Sequence, residues 1–232
     1  MGSNNYNSDK VYILSKSTYV RASQCVKSLY LNKHYPKLRT PPNAAKLALF
    51  GKGRSFEQTF KDTFIGATDV SAMLGKQINE YPAYTSNLLQ QHSSITLFEA
   101  GIVYNEVLIL TDVLQKNEDG SISIYEVKHS TKLNDGIQND LALQYYVAKA
   151  ALGTALHKFV LVLRNEADNT FNQINMTDEL ALHSHEVALN CDAYKEILTS
   201  GIIPNITMGA HCNKPYTCDF KDYCSKQPLT LF

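Results

Sequence analysis

The feature that most constrains the fold of this chain is a pair of apolar runs joined by a short polar turn. The two runs cover residues 103–116 and 121–128, and both are rich in β-branched and other apolar residues. Two such runs around a turn that contains a glycine predict an antiparallel β-hairpin. We expect a three-residue loop, Glu118–Gly120, in which Gly120 takes the left-handed conformation. Asn117 then faces Ser121.

This register brings three charged side chains together. Counting back from the turn places Asp112 directly across from Glu126, and Lys128 follows on the same face as Glu126. A loop shorter by one residue would move Glu126 to the opposite face, so the prediction depends on the turn. Two carboxylates offer hard oxygen ligands for Mg²⁺ or Mn²⁺, and a neighbouring lysine can orient or deprotonate a water molecule. The pattern indicates metal-assisted phosphodiester hydrolysis, although alone it also fits a solvated hairpin edge with ordinary surface charges.

The five cysteines are the second informative feature. Three of them lie close together near the C-terminus and a fourth lies near the other end: Cys212, Cys218, Cys224 and Cys25. An odd number of cysteines in a cytosolic protein argues against a disulfide framework and favours a metal or cluster site. These four thiolates would provide four ligands and join the two ends of the chain. Zinc is an alternative occupant, with His211 as a substitute ligand.

The fifth cysteine, Cys191, lies in a predicted helix and is interpreted as a buried thiol outside that site. The remaining pattern predicts an α/β fold with a central mixed sheet flanked by helices. We predict helices over residues 17–32, 43–64, 83–92, 135–153 and 177–200, and strands over 95–99, 102–115, 121–129 and 158–164. Residues 68–80 are ambiguous.

Length and charge limit the classes of protein to be considered. With 232 residues the chain can form one domain with a substantial core. Residues 1–9 begin like an expression remnant, and we do not expect them to belong to the fold. A net charge of zero neither favours nor opposes nucleic acid, because a nuclease needs only a local basic patch. The sequence contains no apolar run of about eighteen residues and no signal peptide. We therefore expect a cytoplasmic protein with no membrane partner.

The motifs together resemble the PD-(D/E)XK nuclease superfamily, in its RecB-like branch. Glu57 follows Gly53 by four residues, as in the first motif of that branch, Asp112 matches the second, and Glu126-Val-Lys matches the third. Gln144 and Tyr145 resemble the Gln-and-Tyr helix motif that contacts the active-site lysine and DNA, and both also fit simple helix packing. Two departures are a Glu rather than a His at position 57 and the absence of a Gly before Asp112.

The cysteines resemble those of the iron–sulfur nucleases of CRISPR adaptation and of a related bacterial domain family of uncharacterised function. In those proteins one N-terminal and three C-terminal cysteines hold a 4Fe–4S cluster. The resemblance spans residues 13 to 225 and implies that Cys25, Cys212, Cys218 and Cys224 are the ligands. The interval between Cys212 and Cys218 is longer than is usual there.

The resemblance implies a single nuclease domain over residues 10–232, with a restriction-endonuclease-like core. Residues 10–40 and 205–225 would form a small cysteine lobe. It further implies that Mg²⁺ or Mn²⁺ is bound by Glu57, Asp112, Glu126 and the backbone carbonyl of Val127, while Lys128 assists the attacking water.

The expected function is a metal-dependent DNA nuclease that acts on single strands or free ends. The alternative is a catalytically weak iron–sulfur module that binds DNA or a protein partner in a repair or defence complex. We expect Lys52, Arg54 and Lys132 to hold the phosphate backbone through salt-sensitive contacts, although each also fits a solvated basic surface.

Overall fold

The computed structural model describes residues 11–168 and 170–226, and within them it contains a seven-stranded mixed sheet flanked by helices. This confirms the predicted α/β fold class. The strands are β1 Leu14–Ser15, β2 Thr68–Asp69, β3 Ile95–Tyr104, β4 Val107–Lys116, β5 Ile122–Lys128, β6 Leu156–Arg164 and β7 Phe171–Asn175. The α-helices are α1 Lys16–Gln24, α2 Val26–His34, α3 Ala44–Lys61, α4 Val70–Leu74, α5 Tyr81–Gln91, α6 Asp135–Leu152, α7 Thr177–Ala181, α8 Ser184–Thr199 and α9 Lys221–Ser225.

The predicted domain of residues 10–232 includes residues 10, 169 and 227–232, which lie outside the described residues. The same holds for residue 10 of the predicted cysteine lobe. None of the described helices is both long enough and apolar enough to cross a membrane.

The sheet has the strand order β2-β3-β4-β5-β6-β7, and β1 pairs with β4 outside this sequence of neighbours. Strands β3, β4 and β5 form an antiparallel meander, and α6 carries the chain over to β6, which is parallel to β5. Two strands pair with the edge of β4 that faces away from β3. Residues 113–116 pair with β5, whereas Val107 and Leu108 pair with β1. Strands β4 and β5 therefore diverge beyond Val113, and Asp112 lies at the fork between them.

The predicted hairpin register is confirmed. Val113 pairs with Tyr125, and the backbone N–H of Asn117 donates to the carbonyl of Ser121 at 2.9 Å. Gly120 has a φ of 83°, a left-handed conformation that a side chain would disfavour. The turn therefore fixes which residues of β5 lie opposite β4.

The two faces of the sheet are covered by different helices. On one face, Ile122 and Ile124 of β5 share a core with α6. On the other, Val127 packs with Phe56 and Phe60 of α3, and burying each of these rings contributes on the order of 2 kcal/mol. Side chains alternate along a strand. Glu126 and Lys128 therefore continue the row of Ile122 and Ile124, on the side that α6 covers.

Several predicted boundaries are wrong. The helix predicted over residues 17–32 is two helices, because Cys25 adopts an extended backbone with φ −165° and ψ 114° between α1 and α2. The helix predicted over 177–200 is likewise divided into α7 and α8. The strand predicted over 102–115 includes the turn between β3 and β4 at Asn105 and Glu106, whose φ angles are 46° and 58°. Neither Gly nor Pro marks that turn.

Three of the described strands had no counterpart in the prediction, and one of them is the two-residue strand β1, which pairs with β4. Strand β7 is partly exposed, three of its five residues are polar, and it pairs antiparallel with β6. Strand β2 lies in the ambiguous segment and has only two residues. Such short edge strands depend on a partner strand rather than on their own sequence pattern.

Candidate functional site

Asp112 occupies the fork between β4 and β5. Its side chain is buried, and its Oδ2 accepts a hydrogen bond from the backbone N–H of Val127 at 2.7 Å. Burial, and then the negative charge of Glu126, raise the pKa of the Asp112 carboxyl above its usual range. A cation bound beside Asp112 would offset both effects, because positive charge favours the ionised form.

Glu126 is the most deeply buried acid of the site, at 1 % exposure. Its Oε1 accepts hydrogen bonds from Lys128 Nζ at 2.6 Å and from Lys16 Nζ at 3.0 Å. Burial alone would raise the pKa of Glu126, but these two ammonium groups outweigh it and lower the pKa. Its Oε2 has no hydrogen-bond partner among the described residues. A buried polar atom without a partner costs about 1–3 kcal/mol, so this oxygen fits a hard cation that would satisfy it.

Lys128 is held between two acids. Its Nζ donates to Glu126 and also to Oδ2 of Asp140, which projects from α6. Gln144, one turn further along α6, donates to the second oxygen of Asp140 at 3.3 Å. Burial alone would lower the pKa of Lys128, but Asp140 and Glu126 outweigh it and raise the pKa well above its ordinary value. An ammonium of this kind can donate to a water or a phosphate oxygen, but it cannot accept a proton.

A second group of acids lies on the other flank of Asp112. Oxygen atoms of Glu57, Glu99 and Asp112 all lie within 4.8 Å of one another. Lys61 donates to Glu57 at 2.5 Å and to Glu99 at 2.6 Å. Because oxygen ligands of this type suit Mg²⁺ and Mn²⁺, the group fits a divalent cation. Glu126 is not a member of this close group, although its charge acts on Asp112.

Glu99 has an unusual backbone for its position. The ladder between β3 and β4 pairs Phe98 with Val113 and Ala100 with Thr111, and it is interrupted at Glu99. Glu99 itself has a φ of 52°, a conformation that costs a residue other than Gly about 1 kcal/mol or more. With this backbone, a carboxylate oxygen of Glu99 lies within 4.8 Å of oxygens of Asp112 and Glu57, and burial raises the pKa of Glu99.

The structure thus brings five predicted residues into one region: Glu57, Asp112, Glu126, Lys128 and Gln144. Tyr145 is placed differently, since its buried ring packs against Phe159 in the core with 6.1 Å between ring centroids. Val127 contributes its N–H to Asp112.

Four charged residues of the region were not predicted: Lys16, Lys61, Glu99 and Asp140. Two of them left a signal in the sequence. Glu99 interrupts an apolar run as Glu126 does, and Asp140 precedes Gln144 by one helical turn. Lys16 and Lys61 reach the site only through tertiary packing.

The predicted cysteine set also comes together. Cys25, Cys212, Cys218 and Cys224 line one pocket. Cys25 lies at the break between α1 and α2, where it caps α2, and the N–H of Cys218 donates to the carbonyl of Cys212 at 2.9 Å. Burial raises the pKa of the Cys25 and Cys224 thiols. Cys191 lies apart in α8, as predicted, and burial raises its pKa to about 12.

The spacing of these thiols bears on what the pocket fits. Four cysteine sulfurs are suitable ligands for an iron–sulfur cluster or for zinc. A tetrahedral zinc site with Zn–S bonds of about 2.3 Å places its sulfurs about 3.8 Å apart. In the described part of the chain no three of these sulfur atoms lie within 4.8 Å of one another.

Helix α1 connects the two regions. At its start, Lys16 bonds Glu126 at 3.0 Å, and at its end Gln24 donates to the carbonyls of His211 and Tyr216 at 2.7 and 2.6 Å. Arg21, in the same helix, pairs with Asp219 at 3.0 Å. The C-terminal segment that carries three of the cysteines is thereby held to the helix that reaches the carboxylates.

Known proteins give little information about this chain. The chain matches no protein-family model and no curated protein. It is similar to the crystal structure of SSO0001 with a TM-score of 0.44 and 13 % sequence identity, over 94 % of this chain and 87 % of that one. A similarity at this level says nothing about activity.

Proposed function

We propose that this protein is a divalent-metal-dependent DNA nuclease that hydrolyses phosphodiester bonds in single strands or at free ends. One observation carries the proposal: two buried carboxylates, Asp112 and Glu126, meet the ammonium of Lys128 at a fork in the sheet, and one oxygen of Glu126 has no partner among the described residues. A purely structural ion pair would be expected to satisfy all its buried oxygens. Buried charges held in this way are typical of functional sites.

The residues divide into ligands and an electrostatic group. Mg²⁺ or Mn²⁺ would be held by Glu57, Asp112, Glu126 and the backbone carbonyl of Val127. Glu99 is a further ligand in this proposal, because one of its oxygens lies within 4.8 Å of oxygens of Glu57 and Asp112. When bound, such an ion polarises a phosphate oxygen and lowers the pKa of a water molecule.

Lys128 supplies the positive charge that stabilises the phosphate as negative charge develops on it. Asp140 fixes the direction of the Lys128 ammonium, and Lys16 keeps Glu126 ionised. Lys52, Arg54 and Lys132 are exposed and form no ion pair among the described residues, which leaves them available for phosphates. DNA affinity should therefore fall as salt rises.

We further propose that Cys25, Cys212, Cys218 and Cys224 hold a 4Fe–4S cluster that ties the α1–α2 junction to the C-terminal segment. The assignment is supported by the pocket that the four thiols share. Zinc, with His211 as a substitute ligand, is the competing assignment, and metal analysis of anaerobically purified protein separates the two.

The nuclease proposal is tested with labelled single-stranded and double-stranded DNA of one sequence, incubated with Mn²⁺ or with EDTA. Wild-type protein should cleave the single strand only with metal. Lys128→Ala should slow cleavage about a hundredfold or more, because the developing charge loses its ammonium. Lys158→Ala, at an exposed position of β6, is the matched control and should cleave normally.

Two results would contradict the proposal. One is a Lys128→Ala variant that cleaves at the wild-type rate. The other is iron-loaded wild-type protein that binds DNA but cleaves neither strand form with any divalent metal, which would instead support the binding module.

A further inference from the structure

An open groove runs alongside the candidate site. It is formed by one face of α3 and the end of β5, and its lining residues include Phe50, Gly53, Arg54, Glu57, Lys128 and His129. Glu57 and Lys128 belong to the candidate site as well. The groove is therefore continuous with the proposed catalytic residues.

The face of α3 that lines the groove has a regular order. Phe50, Gly53 with Arg54, and Glu57 follow one another at intervals of one helical turn, so they lie in a row. From Phe50 to Glu57 the helix rises about 10 Å. Phe50 is 44 % exposed at the outer end, whereas the rings that anchor α3 to the sheet, Phe56 and Phe60, lie in its second half. The core therefore does not account for the position of Phe50.

The type of side chain that lines the groove changes from its outer end to its inner end. An aromatic ring lies at the outer end, the exposed guanidinium of Arg54 lies one turn inward, and the acids and the ammonium of Lys128 lie at the inner end. Aromatic rings that stack on bases, beside cations that pair with phosphates, are how proteins hold single-stranded nucleic acid. A base inside a duplex is already stacked and paired, so it could not lie against Phe50.

Gly53 keeps the middle of this row open. A Cβ atom placed on Gly53 would have no neighbour within 4 Å, so the fold does not require a glycine there. A glycine inside a helix costs about 1 kcal/mol relative to Ala. Gly53 thus lowers the stability of α3, and its lack of a side chain leaves free space between the Phe50 ring and the Glu57 carboxylate.

We propose that the groove is a nucleotide subsite, in which an unpaired DNA base stacks on Phe50 and its phosphate pairs with Arg54. The next phosphate along the strand would then lie at Lys128. This inference rests on the proposed nuclease function and gives it a structural basis for selecting single strands. Phe50 and Arg54 act here as specificity-determining residues and not as catalytic ones.

The test measures binding alone, in EDTA, with a fluorescently labelled oligothymidine single strand. Phe50→Ala should weaken binding roughly tenfold, the size expected for losing one stacked base. Leu47→Ala is the matched control, because Leu47 is 52 % exposed on the same helix but does not line the groove. A strand carrying one abasic nucleotide at the stacked position should bind wild type more weakly and should not distinguish wild type from Phe50→Ala.

A second pair of variants distinguishes weaker binding caused by a blocked groove from weaker binding caused by a folding defect. Gly53→Leu should fill the groove and weaken binding about as much as Phe50→Ala, while its melting temperature stays at or above that of wild type. Gly51→Leu also meets no atom within 4 Å at its Cβ, but Gly51 does not line the groove. That variant should gain the same helix stability and bind normally.

The outcomes separate the two proposals. Wild-type affinity of both Phe50→Ala and Gly53→Leu, or equal binding of intact and abasic strands, would overturn the subsite whether or not the protein cleaves DNA. Binding that depends on Phe50 in a protein that never cleaves would uphold the subsite and remove the nuclease activity.

Discussion

The carboxylate–lysine site and the cysteine pocket are built in opposite ways. The first arises mainly from neighbouring strands, since Asp112, Glu126 and Lys128 belong to one hairpin whose turn fixes their alignment. The second arises from opposite ends of the described chain, brought together by the α1–α2 junction and by ion pairs such as Arg21 with Asp219. The first site is therefore determined by local register, whereas the second depends on long-range contacts and on the group that its thiols bind. Damage to one region should therefore leave the strands or thiols of the other in place, and Lys16 of α1 is a contact that both regions share.

The largest effect expected is that of Asp112→Asn on cleavage. The amide has the shape of the carboxyl and can still accept from the Val127 N–H, but it removes a charged ligand, so we expect a loss of several kcal/mol of transition-state stabilisation, about a thousandfold in kcat/KM. Steady-state cleavage of single-stranded DNA measures it. The visible absorbance and iron content of the same preparation should match wild type, and a colourless Asp112→Asn protein would show that the two regions are not separate.

Cys25→Ser makes the reverse comparison. Loss of one thiolate should bleach the brown colour of anaerobic protein, and because a bound group stabilises only the folded state, the chain ends should loosen. Hydrogen exchange should become faster in α1, α2 and α9 while β4 and β5 remain protected. Uniformly faster exchange, including that of the central strands, would contradict the separation of the two regions.

Asp140→Asn should have a smaller effect, confined to the carboxylate side. It leaves Lys128 paired with Glu126 but removes the acid that fixes its direction, so kcat should fall about 10- to 100-fold, the usual size for a residue that orients another. KM should change little. Asp140→Glu should recover part of the loss, and an unchanged kcat in Asp140→Asn would remove the positioning role.

Cys191 should give the smallest effect, and it provides the control for the cysteine pocket. Burial raises the pKa of its thiol to about 12, so the thiol stays protonated at pH values well below that and is protected from reagents that attack thiolates. Mass spectrometry after brief alkylation of native protein at neutral pH should find Cys191 unmodified. Cys191→Ser should keep the brown colour.

The sequence predicted the parts of the site that depend on near neighbours. Gly120 and the alternation along β5 were enough to align Asp112 with Glu126 and to place Lys128 on the same side. Sequence could not place Lys16 at the site, because this residue arrives through the pairing of β1 with β4. Asp140 left only the indirect signal of its spacing from Gln144, since its contact with Lys128 depends on the packing of α6 against the sheet. The turn at Asn105 and Glu106 was missed because neither Gly nor Pro marks it, although Asn tolerates the left-handed backbone found there.

The length of helix α1 limits which sequence changes this protein can tolerate during evolution. Its nine residues span the distance between a lysine that must meet Glu126 and a cysteine junction that must meet the C-terminal segment. Exposed positions such as Ser17 and Ser23 are free to be substituted. An insertion or deletion of one residue would turn Lys16 by about 100° relative to Cys25 and shift it by about 1.5 Å along the axis. Related proteins should therefore differ in the amino-acid sequence of this helix but have the same number of residues in it.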